Sequence, residues 1–224
     1  MSPVPLFRDR AEAGERLTQA ILAELNQLSD DGTPQRAIVY ALPRGGVPVA
    51  APVARLLHCP LTLLVAKKIV RPESPELALG AVTADGYALW SSPCPLSRRS
   101  RKTLLYRTRA KAKSQWERLS VECPPVDPQG AIALLIDDGI ATGMTMATAA
   151  GSLRSPNCPA ELKPDGVWIC TPLAPPELME LLPKWCDRAV VLETPKPFLS
   201  VSRFYEKFPQ VNTDRVRQSL RQAR

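Results

Sequence analysis

The sequence predicts an α/β fold: a doubly wound, mostly parallel sheet with helices on both faces, plus a small hood. Three observations carry that expectation. Short apolar runs of strand length alternate with segments of helical periodicity, the pattern that buries a parallel sheet between helices. One run, Ala131–Ile136, is uniformly apolar, as a strand covered on both faces must be, and it feeds directly into Asp137 and Asp138. Two of the runs end in glycine-containing loops at the strand ends where open α/β sheets place their ligands. With 224 residues, 45% of them hydrophobic, and no internal repeat, the chain reads as one domain over 1–224, with hood or lid contributions from 70–96 and 195–224.

Asp9–Leu28 has an amphipathic helical pattern, with Ala13, Leu17, Ile21 and Leu25 on its apolar face. Ala37–Leu42 reads as a strand, followed by the turn Pro43–Gly46 and a short helix to about Leu57, which Pro52 should kink or shorten. Leu61–Ala66 reads as a second core strand, so Lys67 and Lys68 fall at its carboxyl end. Ala78–Thr83 and Tyr87–Trp90 flank a hairpin turn at Ala84-Asp85-Gly86. Ser97–Leu119 is a long polar helix with Ser97 as its N-cap. Ala131–Ile136 is followed by a helix over Met144–Leu153, a proline-rich loop and a strand at Val167–Cys170. Pro175–Leu182 reads as helix, Ala189–Leu192 as a last strand and Thr213–Gln222 as a terminal helix.

Composition removes several function classes. No apolar run approaches the roughly 20 residues that span a bilayer, and the first residues lack the apolar core of a secretory signal, so no membrane partner and a cytoplasmic location are expected. Six scattered cysteines without a C-x-x-C pair, and one histidine, argue against a zinc site or a disulfide framework. Cys170, inside an apolar strand, reads as a buried reduced thiol. His58, at a helix end, reads as structural, which withdraws support from serine-type triads.

The net charge of +7 gathers in 98–118 and in the tail, with Arg215, Arg217, Arg221 and Arg224. A basic helix can track a nucleic-acid backbone, but the aromatics interleaved here are Tyr106 and Trp116 alone. A solvated helix beside a site for a polyanionic substrate is the preferred reading.

The chemistry concentrates in 131–146. Gly139 and Gly143 permit close backbone approach and positive φ, so that successive amides can point at one anion. Thr142 and Thr145 add hydroxyl donors, and the helix starting near Met144 adds its positive end. The result is an anion cradle beside a carboxylate pair that can accept hydrogen bonds from vicinal hydroxyls. Arg44, Gly45 and Gly46 follow another strand and build a second anion loop at the same sheet edge. Neither G-x-x-x-x-G-K-[ST] nor G-x-G-x-x-G occurs.

The segment DDGIATGMT resembles the phosphoribosyl-pyrophosphate (PRPP) motif of type I phosphoribosyltransferases. ALPRGGVPVA at 41–50, KKIVRPESPELALGAV at 67–82 and the ending PFLSVSRFYEKF extend the likeness over nearly the whole chain, to a bacterial branch of the family known as predicted phosphoribosyltransferases. The resemblance implies transfer of a 5-phosphoribosyl group from PRPP to a nitrogenous acceptor with Mg²⁺, releasing pyrophosphate. It implies PRPP contacts from Asp137, Asp138, Gly139, Ala141, Thr142, Gly143, Met144 and Thr145, and pyrophosphate contacts from Arg44, Gly45, Gly46 and Lys68, with Arg71 assisting. Arg44, Lys68, Asp137 and Asp138 are the expected catalytic set.

Asp137 and Asp138 would meet the metal indirectly. Glu76 stands open between Mg²⁺, the nucleophile and a local cap. Lys67 departs from the arginine common at its position, and Val70–Pro75 reads as a mobile lid. Ala141 stands where some purine-type relatives carry an aspartate, so this loop supplies no general base.

Phe198, Phe204, Tyr205 and Phe208 either stack on an acceptor ring or anchor the terminal segment, and the anchor is preferred. A non-catalytic PRPP- or nucleotide-sensing regulator is the alternative function, and a hydrolase or phosphorylase a third. The expected partners are PRPP and a small acceptor, with a homodimer left open. The sequence does not name the acceptor.

Overall fold

The computed structural model describes residues 5–28, 35–71 and 73–223, with the side chains of Pro75 and Glu76 also outside the described set. Five parallel strands form the central sheet in the order β2-β1-β6-β7-β8: β1 Ala37–Ala41, β2 Leu61–Leu63, β6 Ile132–Ile136, β7 Gly166–Leu173 and β8 Arg188–Glu193. Both central strands, β1 and β6, are buried along their whole length. Alternate residues serve opposite faces, as a pleated strand requires. Val39, Leu134, Ile136 and Cys170 face one cluster, with α1 (Arg10–Leu28), α2 (Gly46–Leu56) and α6 (Thr213–Gln222). Ile38, Tyr40, Leu135 and Ile169 face the other, with α4 (Met144–Arg154) and the short α5 (Leu182–Trp185). This is the doubly wound arrangement expected.

The second core strand is shorter than expected. The chain leaves the parallel sheet after Leu63, and Ala66–Arg71 (β3) pairs antiparallel with Ser74–Thr83 (β4), which pairs with Ala88–Trp90 (β5). These three strands form a separate hood sheet. Continuous apolarity through Leu64-Val65-Ala66 cannot reveal which sheet a residue pairs with, so the switch was invisible in the sequence. Lys67 and Lys68 therefore stand at the root of the hood rather than at the end of a core strand. The expected lid at Val70–Pro75 falls where β3 gives way to β4, with irregular register at Ile69, Val70 and Arg71, and its Pro72 lies outside the described residues.

Two proline expectations also change. Helix α2 runs through Pro52 unbroken, and the ring lies on Gly14 of α1, where a Cβ would come within 2.5 Å of Pro52 Cγ. In Pro175–Leu182 the helix does not form as one piece: a 3₁₀ turn covers Pro176–Leu178 and α5 starts at Leu182, with Pro183 in its first turn.

Helix α3 (Arg98–Ser120) lies along the hood, capped by the Ser97 hydroxyl, which accepts from the Ser100 amide at 3.2 Å. Cys170 is buried and free, and His58 is exposed at φ 51°, closing α2 in the left-handed conformation. No helix among the described residues is long and apolar enough to cross a membrane.

Candidate active site

The loops after β1 and β6 leave the sheet side by side, because the two strands pair in register from Ala37↔Ile132 to Ala41↔Ile136. One bond ties them together, Leu42 N donating to Ile136 O at 2.9 Å, and a second closes the first loop on itself, Gly46 N donating to Leu42 O at 3.1 Å. The absence of side chains makes the approach possible. A Cβ on Gly45 would overlap the Asp138 carboxylate, and one on Gly46 would lie 2.5 Å from Ile136 O. Arg44, Gly45 and Gly46 are thus packed onto the Asp137–Asp138 corner. Arg44 is exposed; its carbonyl accepts from Val47 N at 3.3 Å, and its side chain makes no hydrogen bond or ion pair among the described residues.

Beyond Asp138 the loop is held down by Ile140 N, which donates to Leu173 O at 2.8 Å. Gly143 takes φ 74°, and Met144 opens α4. Gly139 has no positive φ; it is needed because Val201 covers it, with a Cβ coming 2.6 Å from Val201 Cγ1. Ala141 and Thr142 are exposed and Thr145 is half-buried, so the first amides of α4 and these hydroxyls are open to a ligand at the helix N-terminus.

The two carboxylates are not equivalent. Asp138 Oδ2 accepts from Arg10 Nε at 2.8 Å, and Tyr205 donates its hydroxyl to the Asp138 carbonyl at 2.8 Å. The Arg10 guanidinium also donates to Pro209 O at 2.9 Å and lies 3.6 Å from the centre of the Phe208 ring. Asp137 makes no ion pair of its own among the described residues; its Oδ1 accepts from the Asp138 amide at 2.9 Å. Burial pushes the Asp137 carboxyl well above its ordinary range, and the neighbouring Asp138 charge adds to this. Burial raises Asp138 too, with Arg10 opposing.

Sequence reasoning did not single out Arg10 or Val201, and it named Tyr205 and Phe208 without their contacts to Asp138 and Arg10. Arg10 carried a signal: with Ala13, Gly14, Leu17 and Ile21 it falls at helical spacing on the buried face of α1, where a lone cation needs an acid. The C-terminal aromatics are the anchor. Phe204 and Tyr205 are buried, and Tyr205 stacks between Phe7 and Phe208 at 5.4 and 4.9 Å.

Lys68 is exposed near the root of β3. Lys67 is half-buried at the same corner, and burial, together with the positive charges of Arg44, Lys111 and Arg118, lowers its pKa. Arg71 is not brought to that corner. It donates to Pro95 O at 2.7 Å at the far end of β3, three residues and about 10 Å along the strand from Lys68. The Glu76 side chain lies outside the described residues.

A model of the phosphoribosyl transferase domain matches residues 9–159, from the turn that carries Arg10 to beyond α4. The chain belongs to the phosphoribosyl transferase family. Two proteins of Mycobacterium tuberculosis with phosphoribosyl transferase names are each 33% identical over 220 residues, covering 94% of this chain and 45% of their own. The chain therefore spans about half the length of these curated relatives. The crystal structure of TT1426 from Thermus thermophilus superposes with a TM-score of 0.76 at 31% identity, covering 96% of this chain and 97% of that one. The phosphoribosyl transferase match stops at residue 159, so the strap that holds Arg10 lies beyond it.

Proposed function

We propose that the protein transfers a 5-phosphoribosyl group from PRPP to a nitrogenous acceptor and releases pyrophosphate. The observation that carries this reading is the contact of Gly45 and Gly46 with the Asp137–Asp138 corner, which joins two anion loops around one carboxylate pair. Amides of Ala141–Thr145 and the Thr142 and Thr145 hydroxyls hold the 5-phosphate at the α4 N-terminus. Asp137 accepts from the ribose hydroxyls, while Asp138 is held in place by Arg10. Arg44, the amides of Gly45 and Gly46, and Lys68 take the diphosphate, neutralising charge as the bond from C1 to the diphosphate oxygen breaks and the C1–N bond forms. The proton of the acceptor leaves by a group outside this loop, because Ala141 offers none.

Among the described residues no three His, Cys, Asp or Glu side chains gather to hold a metal. Asp137 is the carboxylate without a cation partner, which suits Mg²⁺ carried mainly by substrate oxygens. Bound there, Mg²⁺ would neutralise diphosphate charge. A cytoplasmic setting follows from these substrates.

The test is pyrophosphate release from PRPP and Mg²⁺ across a panel of purine and pyrimidine bases, beside calorimetric PRPP binding. Release with one acceptor class is the expected result; tight PRPP binding without release from any acceptor overturns the transferase. The engagement of Asp138 by Arg10 favours a second reading, a PRPP or nucleotide sensor, in which loss of Arg44 and Lys68 leaves nucleotide binding in place.

A further inference from the structure

The Arg99–Trp116 face of helix α3 plays no part in the transferase reading. Over its 23 residues the helix holds nine cations and one acid, Glu117, and it buries just Ala112 and Leu119. Lys113 pairs with Glu117 at 3.9 Å, which leaves the helix strongly positive. Arg99, Lys102, Tyr106, Arg109, Lys113 and Trp116 recur at alternating spacings of three and four, so they form one stripe about 26 Å long, in which Arg109 also donates to Asp85 O of the hood turn at 2.8 Å. All six are exposed, Tyr106 by 77% and Trp116 by 43%.

Tertiary packing brings the basic tail to the C-terminal end of α3. Arg217 of α6 donates to Arg118 O at 3.4 Å, and Arg221 grips Glu122 through two bonds of 3.0 and 2.7 Å. The basic tail thereby lies beside the basic helix. At its other side the stripe meets a cavity of about 750 Å³, with Lys113, Trp116, Tyr40 and Tyr87 in its wall.

We propose that the exposed stripe of α3 binds single-stranded nucleic acid, its cations on phosphates and Tyr106 and Trp116 stacked on bases. Charge complementarity selects a polyanion. Aromatics in line with the cations select an unpaired strand, whose base faces are free. An anionic membrane fits poorly, because an interfacial helix needs a broad apolar face and this one shows two rings. The proposal is independent of the transferase reading, since no residue of the stripe belongs to the PRPP corner.

The experiment is fluorescence polarisation of labelled oligo(dT) and oligo(U), each about 20 nucleotides long so as to span more than one site. Binding of either strand at about 50 mM salt is expected, falling with salt by a log–log slope near −3 if the four stripe cations meet phosphates. Tyr106→Ala and Trp116→Ala should each weaken binding about tenfold with the slope retained. Lys102→Ala should lower the slope by about 0.7. These are surface side chains, and circular dichroism verifies the fold of each variant. Absence of binding overturns the proposal. So does equal binding of duplex or polyglutamate with no effect of the aromatic substitutions, or preferential binding to vesicles rich in anionic lipid.

Discussion

Arg10 and Asp138 stand 128 residues apart and meet through a single hydrogen bond, Nε to Oδ2, at 2.8 Å. Arg10 is 8% exposed, and Phe208 and the carbonyl of Pro209 close over its guanidinium. The first turn of α1, the end of β6 and the C-terminal strap therefore converge on one carboxylate. Asp138 has its cation within the protein, and Asp137 has none among the described residues.

Replacing Arg10 should unbalance this corner. Arg10→Gln leaves Asp138 enclosed without its cation, at a cost of about 3 kcal/mol, the low end for a broken buried pair because Asp138 keeps some exposure. The deficit is largest near neutral pH and shrinks on acidification: without Arg10 the folded-state pKa of Asp138 rises further above its unfolded value, so the lost stability returns as the carboxyl protonates. Thermal unfolding from neutral to acid pH, with Asp138→Asn completing a double-mutant cycle, measures this. An additive cycle would refute the coupling.

Asp137→Asn should raise stability while abolishing PRPP-dependent pyrophosphate release. The Asp137 pKa is raised in the folded state, so its stabilising contribution is present below the ordinary value of 3.8 and is lost as pH rises through the raised value. At neutral pH the ionised group is a burden that the amide lacks. A Tm increase of about 3 °C, corresponding to roughly 1 kcal/mol in a domain of this size, is expected by calorimetry. An unchanged or lower Tm contradicts it.

Gly45→Ala tests the contact between the two loops. Its Cβ would collide with the Asp138 carboxylate, so the loop must shift, costing about 1–3 kcal/mol and weakening PRPP binding in calorimetry. Gly130→Ala is the control. It meets nothing within 4 Å, but its φ of 68° costs about 1 kcal/mol, with PRPP affinity preserved.

Arg44→Ala separates stability from turnover. The exposed guanidinium is unpaired among the described residues, so unfolding should stay within about 0.5 kcal/mol of the parent. Turnover should fall roughly a hundredfold if Arg44 stabilises the departing diphosphate. Equal turnover in steady-state assays would remove Arg44 from the mechanism.

Much of the site was legible because its determinants are local. Asp137 and Asp138 after an apolar strand, Gly143 before α4, and Arg44-Gly45-Gly46 after β1 are consecutive residues whose backbone demands can be read from composition and order. The hood was legible as strands but not as a separate sheet. Leu64-Val65-Ala66 has the same apolarity whether it extends β2 or turns into β3, and the pairing partner at Thr83 decides.

The sequence by itself determined the parallel core, the turn from β6 through Gly143 into α4 and the absence of an acid at Ala141, each written in neighbouring residues. Tertiary structure alone decided which carboxylate lacks a cation among the described residues and that the basic tail meets the basic helix. Those outcomes depend on contacts across the chain, Arg10 with Asp138 and Arg221 with Glu122, and the Coulomb energy of such pairs follows distance and burial in space rather than separation in sequence.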